Sequence, residues 1–546
     1  MNDRDYREWL FDVTESETPS TCGSSMRGNR ETPEVPSADG VEGRSAKAHG
    51  QTADVHACGE SDDLIVPKSQ ANKAEQSAAE SGEGRGSAKG NAQESAAGRA
   101  QDREAASIGL EGVRQAARRD KQMRFTTLLH HVDYERLRTS YEELNPKAVP
   151  GIDEVTWKEY GGEGLEDRLA DLKDRIHRGT YRAKPSLRGW IPKADGRQRP
   201  LGIASLEDKI VQQAIRTVLE QIYEEDFVGF SYGFRPGRSQ HDALDALWVG
   251  LNRRKVNWVL DADIQGFFDA IDHEWLMKFI EHRIADPRVL RLIRKWLRAG
   301  VSEDGAWSKT TVGTPQGAVI SPLLANIYLH YVLDLWAVHW RRTQARGDVI
   351  VVRYADDFVI GFQHRGEAER FLKQLRTRMK QFGLNLHPDK TRLIEFGRFA
   401  ADNRKQRGEG RPETFNFLGF THLCGKTRAG KFQVKRQSIG KRVRAKLAEI
   451  KTDLRKRKHE LVRETGRWLG AVVRGWLNYH AVPDNSHAIQ EFRTQVTRLW
   501  HQSLRSRSQK ARKRWGWDRM CRLADRWLPK ARIRHPYPNR RLIVTT

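Results

Sequence analysis

The chain has 546 residues, 38% of them hydrophobic, with 96 Lys and Arg against 71 Asp and Glu for a formal charge of +25. That length and apolar content suffice for a sizeable core and about three or four domains, and no run approaches the ~18 uninterrupted apolar residues of a membrane span. The opening MNDRDYREWLF is charged with no apolar stretch behind it, so no signal peptide is expected. Cys22, Cys58, Cys424 and Cys521 lie too far apart for a C-x-x-C zinc module or a disulfide framework, so the expected compartment is a reducing cytoplasm.

The charge is uneven along the chain. Residues 1–110 carry 12 Lys and Arg against 20 Asp and Glu, whereas residues 441–546 carry 28 against 8 and hold six of the 16 Trp. An excess of 20 positive charges over one terminal fifth of the sequence is the footprint of a polyanion-binding module. Residues 12–124 lack Phe, Trp and Tyr and are rich in Ser, Gly, Ala, Glu and Gln. Such a segment cannot offset its own chain entropy, so about residues 12–105 read as disordered, within an acidic leader of residues 1–109.

Order is expected from Leu110. Gly112 to Arg119 has helical propensity with a basic face, and Phe125 to Leu137 continues with apolar residues at helical spacing. Two Pro and a Gly make Asn145 to Thr156 a loop. Tyr181 to Ala204 reads as strand, turn at Ala194-Asp195-Gly196, and strand, with Lys193, Arg197 and Arg199 on its return side where phosphates could be met. Leu206 to Tyr223 is an amphipathic helix. Ser231 to His241 (SYGFRPGRSQH) is a Gly/Arg loop whose Arg235 and Arg238 suit phosphate contacts as well as turn formation.

Val256 to Ile264 is an apolar, β-rich run carrying Asp261 and Asp263, which period-two alternation places on one face, and it leads into Gln265-Gly266-Phe267-Phe268-Asp269. In Gly313 to Leu329 a Pro-Gln-Gly turn precedes an apolar helix; Gly317 permits close backbone approach and Gln316 offers both a donor and an acceptor. Val349 to Gly361 (VIVVRYADDFVIG) is a tight hairpin with Asp356 and Asp357 at its bend. A solvated turn is the plain alternative for this hairpin taken alone, but adjacent carboxylates call for a cation, and a divalent metal is the usual one. A third acid from the Asp263 strand would complete the clamp used for in-line phosphoryl displacement. Leu384 to Thr391 (LNLHPDKT) turns at His387-Pro388 and puts Lys390 within approach of a leaving pyrophosphate. Phe415 to Phe420 (FNFLGF) reads as a short strand. From Ser438 onward the pattern is helical and basic, with Arg455 and Lys456 on a face open to phosphate and most of the Trp expected to fill cores.

Tyr354-Ala355-Asp356-Asp357 resembles the YxDD box of reverse transcriptases, and Asp263 to Phe268 resembles their preceding metal-binding motif. The order of basic hairpin, first Asp, PQG, YADD, HPDKT, FLGF and basic tail over about residues 110–546 resembles the group II intron-encoded reverse transcriptase/maturase family. The resemblance implies an α+β right-hand polymerase: N-terminal extension and fingers at 110–255, palm with an antiparallel sheet at 256–425, and an α-helical thumb or maturase domain X at 426–546. It implies RNA-directed DNA synthesis with two Mg²⁺ ions (Mn²⁺ as an alternative) held by Asp263, the backbone carbonyl of Ile264, Asp356 and Asp357, with Asp261 in reserve.

Nucleotide contacts would come from Lys193, Arg199, Phe268, Gln316 and Lys390, with Phe268 crowding a ribose 2′-hydroxyl. The implied partners are the parent intron RNA, an RNA template with DNA primer, dNTPs, and target DNA during mobility. Two departures stand out: the tail has no paired cysteines for an HNH endonuclease, so strand cleavage is not expected, and the acidic leader falls outside the family pattern and could reflect a misassigned start. The competing classes are a non-enzymatic splicing factor, which has no need of three converging carboxylates, and a host-adopted reverse transcriptase in defence or repair.

Overall fold

The computed structural model describes residues 66–67, 109–192, 198–303, 306–308, 312–314 and 316–543. Most of the leader expected to be disordered lies outside the described residues, as do Lys193, Arg197 and the Ala194–Gly196 turn. Val66–Pro67 is an exception, pairing antiparallel with Leu542–Ile543.

The fingers are built on a sheet in which Ser186–Pro192 pairs antiparallel with Gln198–Ile203 and parallel with Val301–Glu303. Ser205 starts the next helix, Leu206–Asp226, by accepting the Asp208 N–H on its hydroxyl, satisfying one of the open donors of a helix N-terminus. The face bearing Ile210, Val211, Ile215, Val218 and Ile222 is buried. Upstream, one expectation fails: Phe125 to Leu137 is not a continuous helix. Phe125 is drawn into a backbone bridge with Ile284, a single 3₁₀ turn spans Leu129–His131, and Asp133 caps a separate helix, Tyr134–Glu143.

The palm sheet has four antiparallel strands in the order Val349–Tyr354, Asp357–Phe362, Trp258–Asp263, Arg392–Glu395. Its buried face shares a core with helix Gln240–Arg253, which Ser239 and Asp242 cap reciprocally. A three-stranded sheet follows the palm. FNFLGF is not one strand but the hairpin between Phe415–Phe417 and Phe420–Lys426, turning through Leu418 and Gly419, both at positive φ. The third strand, Phe432–Ser438, is joined to the palm helix by the bond from Trp248 Nε1 to the Val434 carbonyl, 2.8 Å. The expected boundary at 425/426 therefore falls at the end of a strand whose hairpin runs on to Ser438.

Helices Gly440–Lys456, Val462–His480, Ser486–Arg505 and Trp517–Trp527 form the tail around a core of its own, including Leu469, Val473, Phe492, Val496, Trp500 and Leu504. Trp468, Trp476, Trp515 and Trp527 pack against that core, and Trp517 alone of the six tail Trp is strongly exposed. The chain then returns to the palm: Arg541 pairs with Asp245 and Asp242, and Leu542 joins the palm core. Among the described residues, no helix is long and apolar enough to cross a membrane.

Candidate active site

In the palm register Asp263 stands directly opposite Asp357, and Asp261 stands between Val359 and Arg392. Directly opposed residues on one sheet face lie with Cβ atoms about 4.5–5.5 Å apart, so two carboxylates from separate strands share one spot. Asp356 sits beside them in the two-residue turn that joins Tyr354 to Asp357. Ala355, the first turn residue, has φ +57°, a backbone that hairpin turns usually give to Gly and that costs a Cβ-bearing residue about 1–2 kcal/mol. Gly233 explains the tightness of this bend. A Cβ there would lie 2.3 Å from the Ala355 nitrogen, so only Gly lets the two backbones meet.

Burial, and then the charges of Asp261, Asp356 and Asp263, push the Asp357 carboxyl up to about 8. Burial and Asp263 also raise Asp356, against its own backbone N–H and the cations Arg199 and Lys390. Asp261 is pushed up to about 6 by burial, opposed by Arg392, whose Nη2 is 3.4 Å from its Oδ2. These acids cannot all ionise side by side without a cation among them. Lys390 supplies one, donating from Nζ to Asp263 Oδ2. Among the described residues no three acid, imidazole or thiol groups converge closely enough to hold a metal. The donor set is nevertheless what a divalent metal needs, namely crowded carboxylate oxygens.

Of the expected nucleotide residues, Arg199 and Lys390 act on the acids directly, while Phe268 and Gln316 are held by neighbouring elements. The Ile264–Leu386 bridge is made by Gln265 N–H to Asn385 O and by His387 N–H to Asp263 O, which leaves the Ile264 carbonyl out of it. Phe268 lies half-exposed in the short helix Phe267–Ala270 and accepts the Thr314 N–H on its carbonyl. The Gln316 carbonyl accepts the Gly202 N–H at 2.7 Å, and Gly317, at φ +114°, faces the Gly202 carbonyl 3.0 Å from where a Cβ would be. The PQG turn is thereby locked to the fingers strand that carries exposed Arg199.

One residue that the sequence reading passed over organises this edge. Arg353 is fully buried, and all five of its N–H groups are used. Nε and Nη2 reach Asp334 at 2.7 and 2.5 Å, Nη1 reaches Asn326 Oδ1 and the Ala355 carbonyl at 3.1 and 3.0 Å, and Nη2 reaches Ser231 Oγ at 2.7 Å. Asp334, also fully buried, is aimed by a π-helical turn, His330–Asp334, between Ser321–Leu329 and Leu335–Thr343. The signal was present as an Arg inside the apolar run VIVVRY.

Two expected RNA contacts are corrected. Arg235 is buried, with Nε 3.1 Å from Glu224 and Nη1 on the carbonyls of Val228 and Ser231, both at 2.8 Å. Arg238 donates to the Gly229 and Ser231 carbonyls and lies over the Tyr232 ring. Both tie the Ser231–Ser239 loop to itself and to the segment before it, through Glu224, Val228 and Gly229. Arg455 and Lys456, in contrast, are exposed at the end of the first tail helix.

A family model described as reverse transcriptase (RNA-dependent DNA polymerase) matches residues 191–422, which take in the return strand of the fingers hairpin, Asp263, Asp356 and Asp357, and the FLGF turn. Protein YkfC of Escherichia coli (strain K12) is 36% identical over 277 residues, covering 45% of this chain and 72% of that protein. The group II intron-encoded protein LtrA of Lactococcus lactis subsp. cremoris is 39% identical over 212 residues, 38% of this chain and 34% of LtrA. An uncharacterized 91 kDa protein in the cob intron of Schizosaccharomyces pombe is 47% identical over 170 residues, 30% of this chain and 21% of that protein. The chain thus spans most of YkfC but about a third of LtrA. With a reverse-transcriptase domain built around the carboxylates of YADD, the chain belongs to the group II intron-encoded reverse transcriptase/maturase family.

Proposed function

We propose that the chain copies an RNA template into DNA from a primer 3′-hydroxyl, holds its parent group II intron RNA on the basic tail to assist splicing, and supports insertion of the intron into target DNA in a bacterial cytoplasm. The observation that carries the catalytic half is the facing of Asp263 and Asp357 across the palm sheet, with Asp356 in the adjoining turn.

A reverse-transcriptase domain works with a divalent metal. Here Asp263, Asp356, Asp357 and the Ile264 carbonyl would hold it, Asp261 being engaged by Arg392. Two Mg²⁺ ions, or Mn²⁺ in their place, would supply activation of the primer hydroxyl and neutralisation of the leaving pyrophosphate. The chain's own groups do the positioning. Arg199, which already acts on Asp356 electrostatically, would meet the incoming triphosphate, and Lys193, which lies outside the described residues, would join it. Phe268 would limit room at the ribose 2′-position, and Gln316 would border the same nucleotide. Lys390 exchanges Asp263 for the phosphates as the nucleotide enters.

Asp356→Ala in the full chain is expected to abolish dNTP incorporation on an RNA template while leaving intron-RNA affinity unchanged. Robust cDNA synthesis by that variant would overturn the catalytic assignment. Comparable splicing assistance by wild type and variant would separate the maturase role from the polymerase role.

A further inference from the structure

The loop that turns its arginines inward leaves one large apolar side chain in water. Phe234 is 44% exposed and has φ +59°, a left-handed backbone that costs a bulky residue about 1–3 kcal/mol and persists only where its surroundings impose it. The surroundings here are fixed on both sides. Before it, Tyr232 N–H bonds the Arg353 carbonyl at 2.9 Å, Gly233 abuts the Ala355 nitrogen, and Asn326 Nδ2 donates to the Gly233 carbonyl at 2.7 Å. After it, Arg235 is buried on Glu224. The exposed ring gains little from burial, and Gly would adopt this φ without strain, so the fold alone gives no reason for Phe.

Its position does give a reason. The Phe234 ring centroid is 6.4 Å from that of Tyr354, the half-buried first residue of YADD, which pairs directly with Asp357, and the two ring planes are inclined at 44°. We infer that Phe234, backed by Tyr354, is an aromatic shelf for the flat face of a nucleoside bound at the carboxylate site. The inference rests on the polymerase reading and names a contact within it. Near several acids, phosphates are repelled unless cations intervene, whereas a ring holds a base or sugar face without charge. Base stacking on an aromatic side chain is sequence-tolerant, as a copying enzyme requires.

The test uses the full chain, a fluorescently labelled RNA template–DNA primer duplex without dNTPs, and single-nucleotide incorporation. Phe234→Gly keeps the backbone and is expected to leave the melting temperature unchanged or raise it. The same variant is expected to weaken duplex affinity, or raise the KM for dNTP, by about tenfold. Phe234→Tyr should restore wild-type constants to within about twofold, and the salt dependence of duplex binding should be unchanged in both variants, since no phosphate contact is lost. A loss of duplex affinity assigns the shelf to the template–primer, and a raised KM assigns it to the incoming nucleotide. The proposal is overturned if Phe234→Gly changes neither constant, if Phe234→Tyr fails to restore them, or if Phe234→Gly lowers the melting temperature, which would make the ring a packing element. Duplex affinity is measured without turnover, so a chain that incorporates no dNTP would sink the polymerase reading and still leave the shelf to be decided.

Discussion

The arginines of the Ser231–Ser239 loop point into the protein, whereas the cations of the tail helix Gly440–Lys456 point out of it. Lys441, Arg442, Arg444, Lys451, Arg455 and Lys456 are all exposed, while Arg235 and the neighbouring Arg353 are buried. The difference follows from what the local backbone leaves unmet. A loop has carbonyls with no ladder to accept into, and a guanidinium with five donors satisfies several at once, as Arg235 does for Val228 and Ser231. A helix has already used its interior carbonyls, so its cations find no local acceptor and extend into water. Within these two segments the irregular backbone draws its arginine inward and the regular helix leaves its cations in water; where a regular element buries an arginine, as with Arg353 on the strand Val349–Tyr354 and Arg378 in a helix, the acceptors come from residues outside that element.

The strongest way to break this contrast is to remove an inward arginine. Arg353→Ala removes the guanidinium from fully buried Asp334 and frees the Ala355 carbonyl, and breaking a buried pair costs about 3–5 kcal/mol. A loss of that size is expected in denaturant unfolding, with dNTP incorporation reduced even in the folded fraction because the YADD turn is no longer held. Arg235→Ala is expected to cost less, about 2–3 kcal/mol, since Glu224 is only partly buried. Its intron-RNA affinity should match wild type. Stability intact with RNA affinity lost would move Arg235 into the tail's class.

Much of the site could be read from residues alone, because its elements announce themselves locally. Val349 to Val352 and Phe358 to Ile360 are apolar runs on either side of two acids, and they form the two strands of the hairpin. Other features depend on partners far away in sequence. The guanidinium of Arg353 is satisfied by residues 19, 27 and 122 positions away, a spacing no local pattern encodes. The FLGF turn was hidden by its chemistry: Leu418 takes φ +44° where Asn is the usual signal, so the apolar stretch reads as unbroken strand. Phe125 fits a helical stripe, yet its backbone carbonyl and N–H are taken by Ala285 and Arg283.

Lys390 lies between the two classes, exposed along its stem with its ammonium on Asp263. An ammonium on that carboxylate competes with any metal there. Lys390→Met is expected to lower the Mn²⁺ concentration for half-saturation by a few-fold, about 0.5–1 kcal/mol for a partly exposed pair, as read by paramagnetic titration without nucleotide. A lower kcat at saturating metal would add the phosphate role. An unchanged titration midpoint would show that the lysine does not compete.

The smallest expected effects lie at the outward end of the comparison. Lys456 is 75% exposed, and its nearest acid, Asp453, is 3.8 Å away; an exposed pair of this kind contributes at most about 1 kcal/mol, so little prevents the ammonium from moving to a phosphate. Arg455 beside it is also exposed. Arg455→Ala and Lys456→Ala should each leave stability within about 0.5 kcal/mol of wild type. If the side chains touch RNA, each should reduce the slope of log affinity against log salt by about 0.7–0.9, and the reductions should add in the double variant because each contact releases its own counterions. Relative affinities among RNA sequences should stay fixed, since phosphate contacts position without specifying. A double variant with the wild-type slope would mean that this helix end faces only water, and the intron RNA would then have to be sought on another face of the tail.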